Sequence, residues 1–240
     1  MPTRRYLQVD VFAPRAGAGN PLAVVYDAQG MEEAAMQAFA AWTNLSETVF
    51  FLPPSDGGAD YAIRIFTPRM ELPFAGHPSV GAAWAALDAG LVREHDGRLV
   101  QECAAGLLPV RIRRQGERLL PAVRSPAARP VDAPAPGWLA GDRVWGAARG
   151  ALPPALWNNG PDWWLLELAD EAAVRTLRPD QAAIAALPGS GKLAVFARAD
   201  AGDGADLVVR AFAPGVGIAE DPATGSVNAS IAALLHRHGR

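Results

Sequence analysis

Glu47 is the residue of this sequence whose position best suits proton transfer. It closes the segment Asn44-Leu-Ser-Glu47 and stands directly before Thr48 and the apolar run 49–52. A carboxyl group at the mouth of such a predicted strand is partly removed from water, which favours its protonated form. A carboxyl group tuned in this way can take a proton from one carbon atom and return it to another. A helix-terminal or turn glutamate without a chemical role is the alternative.

His77 is the second candidate. It follows Phe74-Ala-Gly76 and precedes Pro78, with the Ala-rich segment 82–87 behind it. Because Ala and Leu are strong helix formers, the pattern predicts that the imidazole lies where a helix begins. A core histidine whose nitrogens are satisfied by backbone groups is the alternative reading.

A third group of polar residues, Asp221, Thr224, Gly225 and Ser226, precedes another Ala-rich segment. Asp, Thr and Ser side chains accept hydrogen bonds from the free N–H groups at a helix start, so capping is one role. The same N–H groups and the positive end of the helix dipole also favour an anion, such as a substrate carboxylate or an enolate oxygen. The two roles are compatible.

The bulk properties exclude several functional classes. A net charge of -3 and a pI near 5.8 argue against nucleic acid binding, which needs clustered Lys and Arg. Lys192, the one lysine, lies in a Gly-rich turn that is a poor anchor for pyridoxal phosphate. The one cysteine, Cys103, and four histidines without ligand spacing predict no metal site. We therefore expect no cofactor and no metal.

The N-terminal residues and the length of the apolar runs bear on the location of the protein. The N-terminal residues run into strand-like alternation without the apolar stretch of a signal peptide. No apolar run approaches the ~20 residues that span a bilayer. We expect a cytoplasmic protein without membrane contact.

An internal repeat organises the chain. Arg64-Ile-Phe-Thr-Pro68 recurs as Arg210-Ala-Phe-Ala-Pro214 at an offset of 146, and His77-Pro-Ser-Val-Gly81 recurs as Asp221-Pro-Ala-Thr-Gly225 at an offset of 144. Each copy then enters an Ala-rich helix. The repeat predicts two related α/β halves, 1–126 and 127–240, with His77 and Asp221 at equivalent turns on a shared cleft. The Pro-rich stretch 125–137 is the predicted linker.

The remaining elements follow from periodicity and turn residues. A helix is predicted over 31–42 and a hairpin over 107–112 and 119–123. Strands are predicted at 7–12, 22–26, 48–52, 144–148, 163–168 and 193–197.

Four motifs in order resemble the phenazine-biosynthesis PhzF-like protein family. They are Asn44-Leu-Ser-Glu47, Phe66-Thr-Pro68, Glu71-Leu-Pro-Phe-Ala-Gly-His-Pro78 and Glu220-Asp-Pro-Ala-Thr-Gly-Ser226, and Gly19-Asn-Pro-Leu-Ala-Val24 matches the opening strand and turn of the family. The resemblance implies the diaminopimelate-epimerase fold, in which two pseudo-symmetric domains each wrap a strongly curved mixed sheet around a central helix. It also implies a homodimer.

The resemblance further implies a cofactor-independent isomerase that moves a proton on a small carboxylate-bearing substrate. Glu47 is then the acid/base, with His77 and Asp221 as further catalytic residues. The implied substrate-binding residues are Asn20, Ser46, Gly76, Thr224, Gly225 and Ser226. Epimerases of this fold use two thiols, but Gly76-His77 and Asp221 occupy the corresponding turns here. Family chains usually continue past the last helix into a closing strand, whereas this sequence stops at Arg240.

Two other functions compete with the isomerase. One is a small-molecule-binding protein of the same fold that has lost turnover. The other is a hydrolase with a Ser226, His77 and Asp221 triad, although Gly225-Ser-Val-Asn-Ala229 lacks the G-x-S-x-G elbow of that chemistry.

Overall fold

The computed structural model describes residues 3–13, 15, 17–200, 202 and 204–240. The chain separates into two compact units, Met1–Arg124 and Ser125–Arg240. We refer to them as the N-terminal and the C-terminal unit.

The N-terminal unit combines a large mixed sheet with two helices. Its strands are β1 (Tyr6–Val11), β2 (Asn20–Val25), β3 (Glu47–Leu52), β4 (Tyr61–Phe66), β5 (Glu71–Leu72), β6 (Arg98–Cys103), β7 (Gly106–Gln115) and β8 (Arg118–Val123). The helices are α1 (Glu33–Thr43) and α2 (Gly76–Asp88).

The sheet of this unit curls around α2. Its strand order is β1-β2-β3-β4-β6-β7-β8, and both outer strands, β1 and β8, contact α2. The β2–β3 pair is parallel, with α1 as the crossover connection between the two strands. The apolar core between the sheet and α2 includes Val49 and Phe51 of β3 and Ile63 and Ile65 of β4.

Small residues let α2 lie close to the sheet. Ala82, Ala83, Ala85 and Ala86 are buried with no more than a trace of exposed surface. At Gly81 a Cβ atom would lie 2.5 Å from Leu22 Cδ2 and 2.8 Å from Val11 Cγ2. A larger residue would therefore push the helix away from β1 and β2.

The C-terminal unit repeats this plan with a smaller sheet. Its strands are β9 (Arg129–Val131), β10 (Arg143–Val144), β11 (Ala147–Ala148), β12 (Ala155–Asn158), β13 (Asp162–Glu167), β14 (Leu193–Arg198), β15 (Leu207–Ala213) and β16 (Ile218–Asp221). Its helices are α3 (Gly137–Ala140), α4 (Glu171–Thr176), α5 (Gln181–Ala185) and α6 (Gly225–Arg237), and a 3₁₀ turn covers Pro214–Val216. The main sheet has the order β16-β15-β14-β13-β12-β9.

The duplicated plan is visible in contacts as well as in element order. Arg64 Nε donates to Glu71 Oε1 at 2.7 Å, and Arg210 Nε donates to Glu220 Oε1 at 2.7 Å. Each guanidinium also lies over the phenylalanine two residues further on, Phe66 in one unit and Phe212 in the other. The same clamp therefore joins β4 to β5 and β15 to β16.

In the second part of the repeat, the residues of the two units align with an offset that differs from the predicted one. Because Glu71 and Glu220 hold equivalent clamps and both long helices begin with Gly76 and Gly225, the offset here is 149 rather than 144. His77 is then equivalent to Ser226, and the predicted equivalence of His77 with Asp221 is wrong. The similarity of the two Pro-x-x-Gly segments misled the comparison, since one lies inside a helix and the other precedes one.

Two further predictions need correction. The predicted strand 144–148 is a tight hairpin of β10 and β11, because Trp145 and Gly146 adopt positive φ values of 47° and 85°. The predicted linker 125–137 contains β9, which pairs with β12 at the sheet edge. Pro130 lies in that edge strand, where a missing N–H is tolerated.

Gly19→Ala should destabilise the protein by about 1–3 kcal/mol. A Cβ atom at Gly19 would lie 2.2 Å from the Val11 carbonyl oxygen, so the backbone would have to shift. Chemical denaturation measures the change. Gly57→Ala is the control, because no heavy atom lies within 4 Å of its added Cβ. Equal stability of the two variants would contradict the packing argument.

Candidate active site

Glu47 is placed by the junction between α1 and β3. Asn44 ends α1 in a left-handed conformation with φ 52°, and the chain then enters β3 at Glu47. The residue pairs with Leu22 in the parallel β2–β3 ladder. Since Glu47, Val49 and Phe51 alternate along one strand, the carboxylate lies on the sheet face that packs against α2. Its side chain is 13% exposed.

Asn20 and Ser46 support this junction from the neighbouring strand. Ser46 Oγ donates to Asn20 Oδ1 at 3.0 Å, and Asn20 is fully buried at the start of β2. The loop before Asn20 is held by Asp10, whose carboxylate accepts the N–H groups of Ala18 and Gly19 at 2.9 and 3.0 Å. The two predicted binding residues are thus hydrogen-bonded to each other beside Glu47.

His77 reaches the same place from the helix. It is the second residue of α2, after Gly76, and its Nε2 lies 3.3 Å from Glu47 Oε2. The imidazole is 8% exposed, and among the described residues Nε2 makes no hydrogen bond of normal geometry. The structure therefore brings five predicted site residues of the N-terminal unit together, namely Asn20, Ser46, Glu47, Gly76 and His77.

Burial decides the charge of His77. Removal from water lowers the pKa of His77 to about 3, so the imidazole is neutral at physiological pH. A neutral imidazole offers one donor and one acceptor nitrogen. Beside the Glu47 carboxyl group it can therefore hold a hydrogen bond or pass on a proton without adding charge.

The predicted residues of the C-terminal unit gather at the start of α6. Asp221 ends β16, Thr224 is the residue before the helix, and Gly225 and Ser226 form its first turn. The predicted capping is wrong for Thr224, the residue directly before the helix. Thr224 makes no side-chain cap hydrogen bond, Asp221 Oδ1 accepts from the N–H of Ala223 at 3.4 Å, and Ser226 Oγ accepts from a tryptophan. Backbone N–H groups of a helix start that no side chain caps can bind an anion.

Two residues at this helix start were not identified from the sequence. Asn159 Nδ2 donates to the Ser226 carbonyl at 2.9 Å, and Trp163 Nε1 donates to Ser226 Oγ at 3.0 Å. Asn159 is 3% exposed. The Asn-Asn-Gly-Pro sequence at 158–161 signals a turn, and nothing in it signals a contact with a residue more than sixty positions away.

In the described part of the chain, no three His, Cys, Asp or Glu side chains converge as metal ligands. No helix of the described residues has the length and apolar character needed to span a membrane.

His77 should make the stability of the protein depend on pH between about 6.5 and about 3. In that window the unfolded chain binds a proton that the folded imidazole does not. The free energy of unfolding should therefore fall as the pH drops from 6.5, with a slope of up to about one proton. Denaturation at several pH values should show this slope in the wild type and its loss in His77→Gln.

His95→Gln is the matched control for that experiment, because His95 is an exposed histidine of the same unit. An equal effect of both substitutions on the pH dependence would contradict a neutral, buried His77.

Comparison with known proteins places the chain in a family. Residues 9–240 match the family described as phenazine biosynthesis-like protein. Trans-2,3-dihydro-3-hydroxyanthranilate isomerase of Pseudomonas fluorescens is 36% identical over 98% of this chain and 81% of its own length. Antisense-enhancing sequence 1 of Schizosaccharomyces pombe is 32% identical over 94% of this chain and 78% of its own length.

A solved structure supports the same assignment. A predicted epimerase from Pseudomonas aeruginosa superposes with a TM-score of 0.72 at 32% identity, covering 99% of this chain and 83% of that one. The curled sheet around a central helix agrees with this fold. The chain therefore belongs to the phenazine biosynthesis-like protein family and is an isomerase with an epimerase-like α/β fold.

Proposed function

We propose that the protein is a cofactor-independent isomerase that moves a proton on a small carboxylate-bearing substrate, with Glu47 as its acid/base. The observation that carries this proposal is the 3.3 Å approach of Glu47 Oε2 and His77 Nε2 in a largely buried setting. Carboxyl groups and imidazoles are the usual proton-transfer groups of enzymes, and partial burial adjusts their proton affinity to the task.

The proton balance of the reaction suits this pair. Glu47 removes a proton from one carbon of the substrate and delivers it to another, so carboxylate and substrate both end with their original proton count. The C–H bond that breaks leaves its electron pair in the substrate, where a double bond shifts, and the new C–H bond uses that pair. No electrons leave the substrate, so this step requires no redox group. We assign neutral His77 the role of orienting the carboxyl group, whose Oε2 lies 3.3 Å from its Nε2.

Substrate binding is assigned to the two helix starts and the β2–β3 junction. We assign Asn20, Ser46 and Gly76 to substrate contacts in the N-terminal unit and Thr224, Gly225 and Ser226 in the C-terminal unit. Asp221 is assigned a supporting catalytic role, in which it positions the substrate. Backbone N–H groups at a helix start bind carboxylates favourably, and for this reason we propose that the substrate carries a carboxylate.

The substrate is proposed to be cyclic or unsaturated. A carbon acid needs an adjacent group that can take up the charge, and a conjugated carboxylate provides one. The Pseudomonas fluorescens relative is named for a dihydro-hydroxyanthranilate, which has this chemistry. We therefore propose cyclohexadiene and related carboxylates as the first compounds to test, ranked by the rise in melting temperature that each produces.

The contacts of Ser226 and His77 argue against the hydrolase alternative. Ser226 Oγ accepts a hydrogen bond from Trp163 Nε1, and His77 Nε2 faces Glu47. Neither contact is that of a nucleophile with its base. A catalytically silent binding protein remains the second candidate, since it would keep the same helix starts.

Glu47→Gln should lower turnover by about 100- to 10,000-fold while ligand binding persists. Gln keeps nearly the same volume and can still hydrogen-bond, but it cannot exchange a proton. The measurement is conversion of trans-2,3-dihydro-3-hydroxyanthranilate in deuterated water, with deuterium incorporation followed by mass spectrometry. Calorimetry of the same ligand separates lost turnover from lost binding.

Glu117→Gln is the control for removing a carboxylate, because Glu117 is exposed in the same unit. Asp221→Asn and Ser226→Ala should mainly weaken binding. Wild-type turnover in Glu47→Gln would remove the carboxylate mechanism. Tight binding with no turnover and no deuterium exchange in the wild type, for every carboxylate that raises the melting temperature, would favour the silent binding protein.

We also propose a homodimer in the cytoplasm, by analogy with the family. Light scattering at micromolar concentration should give twice the 25.2 kDa mass of the chain. A purely monomeric protein at that concentration would contradict the dimer, and recovery of the native protein in a membrane or extracellular fraction would contradict the location.

A further inference from the structure

A buried chain of hydrogen bonds ends at the first turn of α2. Tyr61 OH donates to Gln101 Oε1 at 3.3 Å, and Gln101 Nε2 donates to Ser79 Oγ at 3.0 Å. Ser79 Oγ in turn donates to the carbonyl oxygen of Ala75 at 2.9 Å. Ala75 is the residue directly before α2, so the chain is tied to the point where the helix begins.

Stability alone does not account for these polar groups. Gln101 and Ser79 are fully buried and Tyr61 is 3% exposed, in a core that is otherwise aliphatic and aromatic. Burying a polar group is costly unless it is hydrogen-bonded, and apolar residues of similar volume often stabilise a core as well or better. A buried network that satisfies its members does fix one arrangement of the elements that it joins.

The element that this network fixes carries His77. Residues two positions apart on a helix point about 200° apart, so His77 and Ser79 face nearly opposite sides of α2. On one side His77 Nε2 meets Glu47 of β3, and on the other Ser79 meets Gln101 of β6. A rotation of the first turn that broke the Gln101 contact would move the imidazole relative to the carboxylate.

The C-terminal unit has a similar helix start, but its equivalent of Tyr61 has no hydroxyl group. Asn228, three residues after Gly225 as Ser79 is after Gly76, donates through Nδ2 to the Thr224 carbonyl at 3.0 Å. By the Arg64 and Arg210 equivalence, however, Leu207 stands in the place of Tyr61. The equivalent of Glu47 is Lys192, because Thr48 pairs with Phe66 as Leu193 pairs with Phe212.

We infer that Tyr61, Gln101 and Ser79 are positioning residues that set the orientation of His77 toward Glu47. The tyrosine hydroxyl of this network occurs in the unit that has the carboxylate, whereas Leu207 and Lys192 stand at the positions equivalent to Tyr61 and Glu47 in the other unit. This inference rests on the proposed role of the Glu47 and His77 pair, but the orientation of His77 can be measured without any substrate.

Tyr26 provides a matched control, because it contacts a different part of the same helix. Its hydroxyl donates to the Ala85 carbonyl at 3.3 Å, and it is 2% exposed. Tyr26→Phe and Tyr61→Phe therefore each remove one buried hydroxyl with one 3.3 Å hydrogen bond. The two variants differ in the part of α2 that loses a hydrogen-bonded contact, since Ala85 lies two turns beyond the first turn.

The test compares the imidazole ¹⁵N signals of His77 in wild type, Tyr61→Phe, Tyr26→Phe and Gln101→Met, assigned with His77→Gln. Tyr61→Phe and Gln101→Met should shift or broaden the His77 signals and change their pH titration, while Tyr26→Phe should leave them unchanged. With an active substrate, kcat should fall about 10- to 100-fold in the first two variants with little change in KM.

Unchanged His77 signals in Tyr61→Phe, or equal changes in Tyr61→Phe and Tyr26→Phe, would overturn the inference. If Gln101→Met does not fold, the comparison of the two tyrosine variants decides alone. Failure of the proposed function would appear differently, as turnover retained in Glu47→Gln, and would leave the ¹⁵N result standing.

Discussion

Glu47 and His77 can face each other because α2 packs very closely against the strands around it. The contact at Gly81 leaves no room for a Cβ atom, and the alanines after it keep the same short separation along the helix. A helix with larger residues on this face would stand further from β3, and the imidazole at its start would no longer reach the carboxylate. The curl of the sheet, the small residues of α2 and the geometry of the site therefore depend on one another.

The site residues come from separate parts of the sequence. Glu47 is the first residue of a strand and His77, thirty residues later, is the second residue of a helix, and each is held by local structure of its own. The carboxylate depends on the left-handed turn at Asn44 and on the Ser46 and Asn20 hydrogen bond. The site thus combines two rigid element ends rather than one flexible loop, which favours a fixed geometry for proton transfer.

Much of this fold could be predicted from the sequence, because its signals are local. The apolar run after Glu47 predicted β3, and the Ala-rich segments predicted α2 and α6. The Arg-x-Phe repeat predicted the duplication, since the arginine clamps a glutamate and covers a phenylalanine in both units. The residue offset predicted after that repeat was wrong. The two Pro-x-x-Gly segments are a weaker guide to equivalent positions than the helix start that both units share. The short strand β9 was hidden by Pro130 and by the other prolines of the stretch 125–137.

The contacts of the site were harder to predict, for a physical reason. Glu47 and His77 could each be proposed from their neighbours, but their 3.3 Å approach depends on how a helix packs on a sheet. Asn159, Trp163 and Gln101 are single polar groups in apolar or turn surroundings, so no spacing pattern marks them. Their partners become evident only when strands far apart in sequence are paired.

The distribution of aromatic residues gives the two units different optical signals. All three tyrosines lie in the N-terminal unit, whereas five of the seven tryptophans lie in the C-terminal unit. Of the two tryptophans in the N-terminal unit, Trp42 is 79% exposed and will change its emission little on unfolding. Tryptophan fluorescence will therefore follow mainly the C-terminal unit, while tyrosine absorbance follows the unit that holds Glu47. Melting curves recorded by both signals can reveal whether the two halves of the duplicated fold unfold together or in sequence.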